Sequence, residues 1–246
     1  MNVAVSLTPG TRSADLSLFG EGPGAYVVID ILRASTVLCT ALANGAAEIS
    51  PVADVDAARR LKANDPARKI LLCGERGGAR IEGFDLGNSP SEYTPKIITG
   101  RHLAYASTNG SVALAQAPKN VEVTVAGLVN ISAAAEHIVE RNLPALIVCA
   151  GKFDQFALED VVGAGALIAR LWELDPDLEI ANDGAFTAQI LWDHFKSDPV
   201  LPLWQSDHGK YLISQGFGAD LAVCAGVDSL SVVPVMRDGR LIAAGN

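Results

Sequence analysis

The strongest constraint on the fold is a set of short, almost wholly apolar runs that recur along the chain, each followed by a segment of helical length. Residues 25–32 read Ala-Tyr-Val-Val-Ile-Asp-Ile-Leu, residues 69–73 end in Ile-Leu-Leu-Cys, residues 103–106 are Leu-Ala-Tyr-Ala and residues 145–149 are Ala-Leu-Ile-Val-Cys. Runs that are apolar at successive positions suit strands covered on both faces. Val3–Leu7, Ala47–Val52 and Val121–Ala126 supply weaker strands. Between them the spacing predicts helices: Val37–Asn44, stopped by Asn44-Gly45; Asp54–Asn64, with Asp54 as its cap; and a small one over 111–117. Further helices are expected over Ser132–Asn142, over Leu158–Leu174 with Glu159 and Asp160 in its first turn, over about 183–196 and around 206–217. Residues 8–24 read as a connection, Leu221–Cys224 and Ser231–Val235 as late strands, and Arg237-Asp-Gly-Arg as a turn into a last strand. Strand–helix alternation of this kind gives an α/β fold with a largely parallel sheet covered on both faces.

The chain has 246 residues, read as one domain over 1–246 with a division into two lobes possible only near 85–100. Apolar residues make up 49 % and charged residues 19 %, so a sizeable core can form. A formal charge of −9 argues against a nucleic-acid partner. No apolar run reaches the length of a membrane span, and the first residues lack the pattern of a signal peptide. The four cysteines are far apart without a CxxC pair, which suits reduced thiols in the cytoplasm and neither a disulfide framework nor a zinc site. The high apolar content suggests a homodimer.

In α/β sheets ligands bind outside the carboxyl ends of the strands. At those ends this sequence places Asp30 and Arg33, then Glu75 and Arg76, then Thr108, Asn109, Gly110 and Ser111, then Gly151 followed by Glu159 and Asp160. The glycine-rich stretch 73–92 reads as a long loop whose backbone can approach a ligand, and it carries Asn88 and Ser89. Arginine offers forked donors to phosphate or carboxylate, and the hydroxyls around Asn109-Gly110 suit an anion nest. A carboxylate such as Glu75 among them points to a metal ion or a proton transfer as well. Mg²⁺ takes one or two carboxylates plus phosphate oxygens and water, and Asp30, Glu75, Glu159 and Asp160 are the available acids, for metal and for catalysis. Adjacent helical residues point about 100° apart, so at most one of Glu159 and Asp160 faces the cleft directly. His208 is a candidate proton shuttle.

Spacing excludes several phosphate chemistries. The chain has no GxxxxGK[ST] loop and no GxGxxG after its first strand. Cys73 has six residues before Arg80 where a cysteine phosphatase needs five, Asp30 lacks a second acid two residues on, and His208 lacks a preceding arginine. What is left is a metal-bound water attacking a phosphate held by arginines and backbone N–H groups, or Asp30 as a covalent nucleophile.

Val28-Ile-Asp-Ile-Leu-Arg-Ala-Ser-Thr, Gly74-Glu-Arg-Gly-Gly, Gly83-Phe-Asp-Leu-Gly-Asn-Ser-Pro-Ser-Glu, Ser107-Thr-Asn-Gly-Ser, Cys149-Ala-Gly and Phe156-Ala-Leu-Glu-Asp follow in this order. This ordered set resembles the 2-phosphosulfolactate phosphatase family, from about residue 3 to 242. Ser206-Asp-His-Gly and Val232-Val-Pro-Val fit as well; Ser35 and Ser111 stand where threonine is expected, and each keeps a hydroxyl. The resemblance implies a three-layer α/β/α fold with a largely parallel or mixed sheet. It also implies a Mg²⁺-dependent phosphatase of 2-phospho-3-sulfolactate, or of a similar small anionic phospho-hydroxy acid, on the way to coenzyme M. Arg33, Arg76, Asn88, Ser89, Thr108, Asn109, Gly110 and Ser111 would then bind substrate. The rival readings are a non-catalytic binder of small anions, and a lyase or isomerase that grips phosphate with Mg²⁺.

Overall fold

The structure is a computed structural model that describes residues 1–8, 17–20, 22–152 and 155–245. The connection expected over 8–24 falls largely outside these residues. Among the described residues, eleven strands form one mixed sheet, in the order β5-β4-β6-β3-β11-β10-β7-β2-β8-β1-β9. They are β1 (Asn2–Ser6), β2 (Ala25–Ile29), β3 (Glu48–Pro51), β4 (Leu71–Arg76), β5 (Ala79–Arg80), β6 (His102–Ala106), β7 (Glu122–Ala126), β8 (Ala145–Cys149), β9 (Glu179–Ile180), β10 (Pro234–Arg237) and β11 (Arg240–Ala243). Strands β7, β2, β8, β1 and β9 form one parallel block, and β4, β6 and β3 another. The β10–β11 hairpin lies between the blocks, antiparallel to both, through the pairs Val235↔Thr124 and Leu241↔Ile49.

Helices cover both faces, which gives the α/β class its layers. Val27 and Ile29 of β2 and Ile147 of β8 enter one core with the helices Ile131–Arg141, Leu158–Leu174 and Asp183–Phe195. Tyr26 and Val28 of β2 and Val148 of β8 enter the other core with the helix Ala34–Ala43, α1. The strand period of two sends alternate residues to opposite faces, which is why β2 and β8 are apolar throughout and buried at every position. Helix α1 begins three residues before the expected Val37 and stops where Gly45 takes φ +93°. Helix α2 (Val55–Asn64) is capped as expected, Asp54 accepting the Ala57 N–H at 2.6 Å.

The stretch from residue 73 is not all loop. Strand β4 continues through Glu75 and Arg76 and turns back into β5, because Gly77 and Gly78 both take positive φ and allow a tight reversal. Within 85–100, Leu86, Tyr93 and Ile98 pack into the core beside α1. Leu221–Cys224, read as a strand, is the end of a helix, Gly218–Cys224. A four-residue run that is apolar throughout carries no period. In the structure Leu221 and Cys224 are buried while Ala222 and Val223 are exposed, the spacing of a helix face. The late strand expected over Ser231–Val235 starts three residues later, at Pro234.

The helices Leu158–Leu174 and Asp183–Phe195 touch closely at Gly165, where an added Cβ would lie 2.0 Å from the Ala188 carbonyl oxygen. Alanine is worth about 1 kcal/mol over glycine in a helix, but overpacking against rigid backbone costs about 1–3 kcal/mol. Gly165→Ala is therefore expected to lower the unfolding free energy, read as a lower urea midpoint. An unchanged or higher midpoint would show that the two helices can separate cheaply.

Candidate active site

Asp30 follows β2 directly, Glu75 lies in β4, Thr108 and Asn109 follow β6, and Lys152 follows β8. Together with Arg33, Asn88, His208 and Tyr211 these side chains line one cleft.

Asp30 is buried, and its carboxylate accepts the Ala34 N–H at 3.2 Å at the start of α1. Burial is the main force on it and pushes its pKa up to about 6, with the charges of Glu75 and Glu159 adding to the rise. His208 and the Ala34 N–H act in the other direction. Gly110 is required here, since a Cβ would lie 2.8 Å from Asp30 Oδ2 and 2.6 Å from Ala34 Cβ. Glu75 accepts the Thr108 N–H and the Gly78 N–H, each at 2.7 Å, and so joins the β6 loop to the β4–β5 turn. Thr108 Oγ1 is buried with no hydrogen-bond partner. Asn88 is held by the Tyr105 hydroxyl, which donates to its Oδ1.

Arg33 lines the cleft with its terminal nitrogens already engaged, and Ser89, Ser111 and Arg76 do not line it. Arg33 is buried, with Nη1 on Asp220 Oδ2 and Nη2 on the Gly78 carbonyl, both at 2.7 Å, and the guanidinium over the Phe217 ring. Ser89 donates to the other oxygen of Asp220 at 2.7 Å. Ser111 exchanges hydrogen bonds with Ser107 and shapes the loop from within. Arg76 is exposed, bonds the neighbouring Glu75 carbonyl and does not line the cleft.

The four acids are not gathered as one ligand set. Asp160 accepts the Ile31 and Gly151 N–H groups at 2.8 and 2.9 Å, tying the ends of β2 and β8 together, and burial holds its pKa well above the carboxylate range. Glu159 is fully buried, with Oε1 3.1 Å from His208 Nδ1 and Oε2 without a partner. Among the described residues no three His, Cys, Asp or Glu side chains form a group that could hold an ion. Asp30 and Glu75, in one cleft with open space beside them, still fit an ion such as Mg²⁺ that draws its other ligands from phosphate and water. All four cysteines are buried, which holds their thiols well above the ordinary range and away from nucleophilic chemistry at neutral pH.

Sequence reading missed Lys152, Tyr211 and Asp220. Lys152 sits just beyond an apolar strand, as Asp30 does, and the same rule would have found it. Tyr211 lies three residues after His208, one turn along the helix Asp207–Ser214.

Buried carboxylates, a hydroxyl without an internal partner and cations meet here at strand carboxyl ends, the place where α/β enzymes build their sites. The family model described as 2-phosphosulpholactate phosphatase matches residues 14–239. A relative from Parasynechococcus marenigrum, named "Probable 2-phosphosulfolactate phosphatase", is 39 % identical over 96 % of each chain. Relatives of the same name from Symbiobacterium thermophilum and Caldanaerobacter subterraneus are each 37 % identical, over 88 % and 87 % of this chain and 92 % and 88 % of their own. The chain belongs to the 2-phosphosulfolactate phosphatase family, a family of phosphoric monoester hydrolases. No helix among the described residues is long and apolar enough to cross a membrane.

Proposed function

We propose that this chain is a Mg²⁺-dependent phosphatase that hydrolyses the phosphate ester of 2-phospho-3-sulfolactate, or of a closely similar phospho-hydroxy acid, in the cytoplasm and on the way to coenzyme M. The observation that carries this reading is the meeting of Asp30, Glu75, Thr108, Asn109 and Lys152, from the ends of four strands, in one cleft. The names of the relatives support the substrate.

Asp30 and Glu75 would hold Mg²⁺, which neutralises charge on the phosphoryl oxygens. Asp30 would also orient the attacking water and take its proton. The Thr108 hydroxyl has no internal partner to give up and can bond a phosphate oxygen. His208 engages Glu159 through Nδ1, which leaves Nε2 as the ring nitrogen to protonate the departing hydroxy-acid oxygen. The sum is one ester P–O bond broken, one water consumed, and hydroxy acid and phosphate released.

Purified protein with Mg²⁺ is expected to release phosphate from 2-phospho-3-sulfolactate and to stop when the ion is chelated. Absence of release from it and from a panel of related phosphate esters would leave a binder in place of an enzyme. Arg76 gives a control inside the same set of residues. Because it is exposed and outside the cleft, Arg76→Ala is expected to keep kcat/KM within about twofold of wild type. A tenfold fall would bring Arg76 back into the site.

A further inference from the structure

Asn88 is buried, and only one end of its amide is engaged inside the protein. Oδ1 accepts from the Tyr105 hydroxyl, and Nδ2 has no partner among the described residues. Asn88 lines the cleft with Asp30, Glu75 and Thr108. Tyr105 does not line it and is fully buried in the core with Cys73, Leu86 and Tyr93. The chain is pinned on both sides of Asn88. The Gly87 carbonyl accepts from the Tyr93 hydroxyl at 2.7 Å, and the Gly87 N–H donates to Glu92 at 2.8 Å. The Ser89 hydroxyl donates to Asp220 at 2.7 Å.

Resting on the phosphatase reading, we infer that Tyr105 is a positioning residue: it holds the Asn88 amide with its NH₂ toward the cleft, where Nδ2 donates to an oxygen of the phosphate. A buried phenol must place its proton on an acceptor. Burial keeps that proton on Tyr105, and the charges of Asp30 and Glu75 add to the hold. Turning the amide over would set its NH₂ against the hydroxyl and take the acceptor away from a buried donor, which is costly. It would also present the amide oxygen to the cleft that already holds the carboxylates of Asp30 and Glu75, where a phosphate oxygen would be repelled. With the NH₂ facing the cleft, Asn88 and the unpartnered Thr108 hydroxyl supply two neutral donors beside those acids. Donors fixed in advance need no rearrangement as charge builds on the phosphoryl oxygens.

The test is a double-mutant cycle on the full-length protein with Mg²⁺, read by calorimetric binding of inorganic phosphate and by kcat/KM for 2-phospho-3-sulfolactate. Asn88→Ala removes the donor. A hydrogen bond to a charged group sets the scale, so phosphate is expected to bind about 10- to 100-fold more weakly, with a fall of at least that size in kcat/KM. Tyr105→Phe keeps the ring in the core and removes the hydroxyl. It is expected to cost about 3- to 10-fold in wild type but less than about twofold on top of Asn88→Ala, since its effect runs through the amide. No cost in wild type, or equal costs in both backgrounds, would overturn the role of Tyr105. Asn88→Asp leaves the core untouched and puts an oxygen in place of the NH₂, so phosphate is expected to bind at least about tenfold more weakly than to wild type. Unchanged or tighter binding would show that the amide oxygen faces the cleft and would overturn the assignment. Unchanged binding to Asn88→Ala, or no binding to wild type, would do the same. Binding that depends on Asn88 in a protein that hydrolyses no phosphate ester would instead overturn the phosphatase reading alone.

Discussion

Asp30→Asn is expected to slow phosphate release by about 10²- to 10⁴-fold, the range for losing a general base, and at the same time to make the protein harder to unfold at neutral pH. The opposite signs come from one cause. Burial raises the Asp30 pKa from 3.8 to about 6, so the folded state resists the charge that catalysis needs. Between pH 3.8 and about 6 the folded protein keeps a proton that the unfolded chain has released. Stability therefore falls as pH rises through this window and stays lower above it. The cost at pH 7 is about 3 kcal/mol on the scale of 1.36 kcal/mol per pKa unit. Asparagine keeps an oxygen for the Ala34 N–H and removes the charge. Urea unfolding across pH 4 to 7, with EDTA present, should show a declining stability in wild type and a flatter profile in the variant. A variant less stable than wild type at pH 7 would mean that Asp30 is a structural acid.

Asp220→Ala is expected to lower the unfolding free energy by about 3–5 kcal/mol, the cost of leaving one member of a buried ion pair alone. Arg33 and Asp220 are both buried, 2.7 Å apart, and Ser89 satisfies the second carboxylate oxygen. The pair reaches the site through Gly78, whose carbonyl accepts from Arg33 and whose N–H donates to Glu75. Phosphatase activity should therefore fall in the variant at temperatures where it is still folded. Removing both charges, as in Arg33→Met with Asp220→Leu, should recover part of the stability, because no buried charge is then left unpaired. Equal losses in the single and the double variant would show that packing, and not the ion pair, accounts for the effect. Recovery of stability without recovery of activity would separate the two roles of Arg33.

That Asp30, Glu75, Thr108 and Asn109 line one cleft was legible because each stands where an apolar run ends, and strand ends converge in this fold class. Arg76 was misjudged because the stretch was taken as loop. Once β4 is seen to continue, strand alternation sends Glu75 inward and Arg76 out. Glu159 and Asp160 were found as acids, but their partners were not visible. Ile31 lies 129 positions from Asp160 and His208 lies 49 from Glu159, separations over which local pattern carries no information. Asp220 was hidden for a related reason. It lies beside a run too short and too uniformly apolar to show a period, so neither its helix nor its buried arginine partner could be read.

The β10–β11 hairpin acts as a keystone. Each half of the sheet meets it through a single paired residue, Val235 on one side and Leu241 on the other. Before residues 234–243 are in place, β3 and β7 are raw borders with unsatisfied backbone groups, open to any strand that comes near. During synthesis these two borders precede the piece that closes them by more than a hundred residues. The growing chain is therefore exposed to pairing with its neighbours until residues 234–243 have been made.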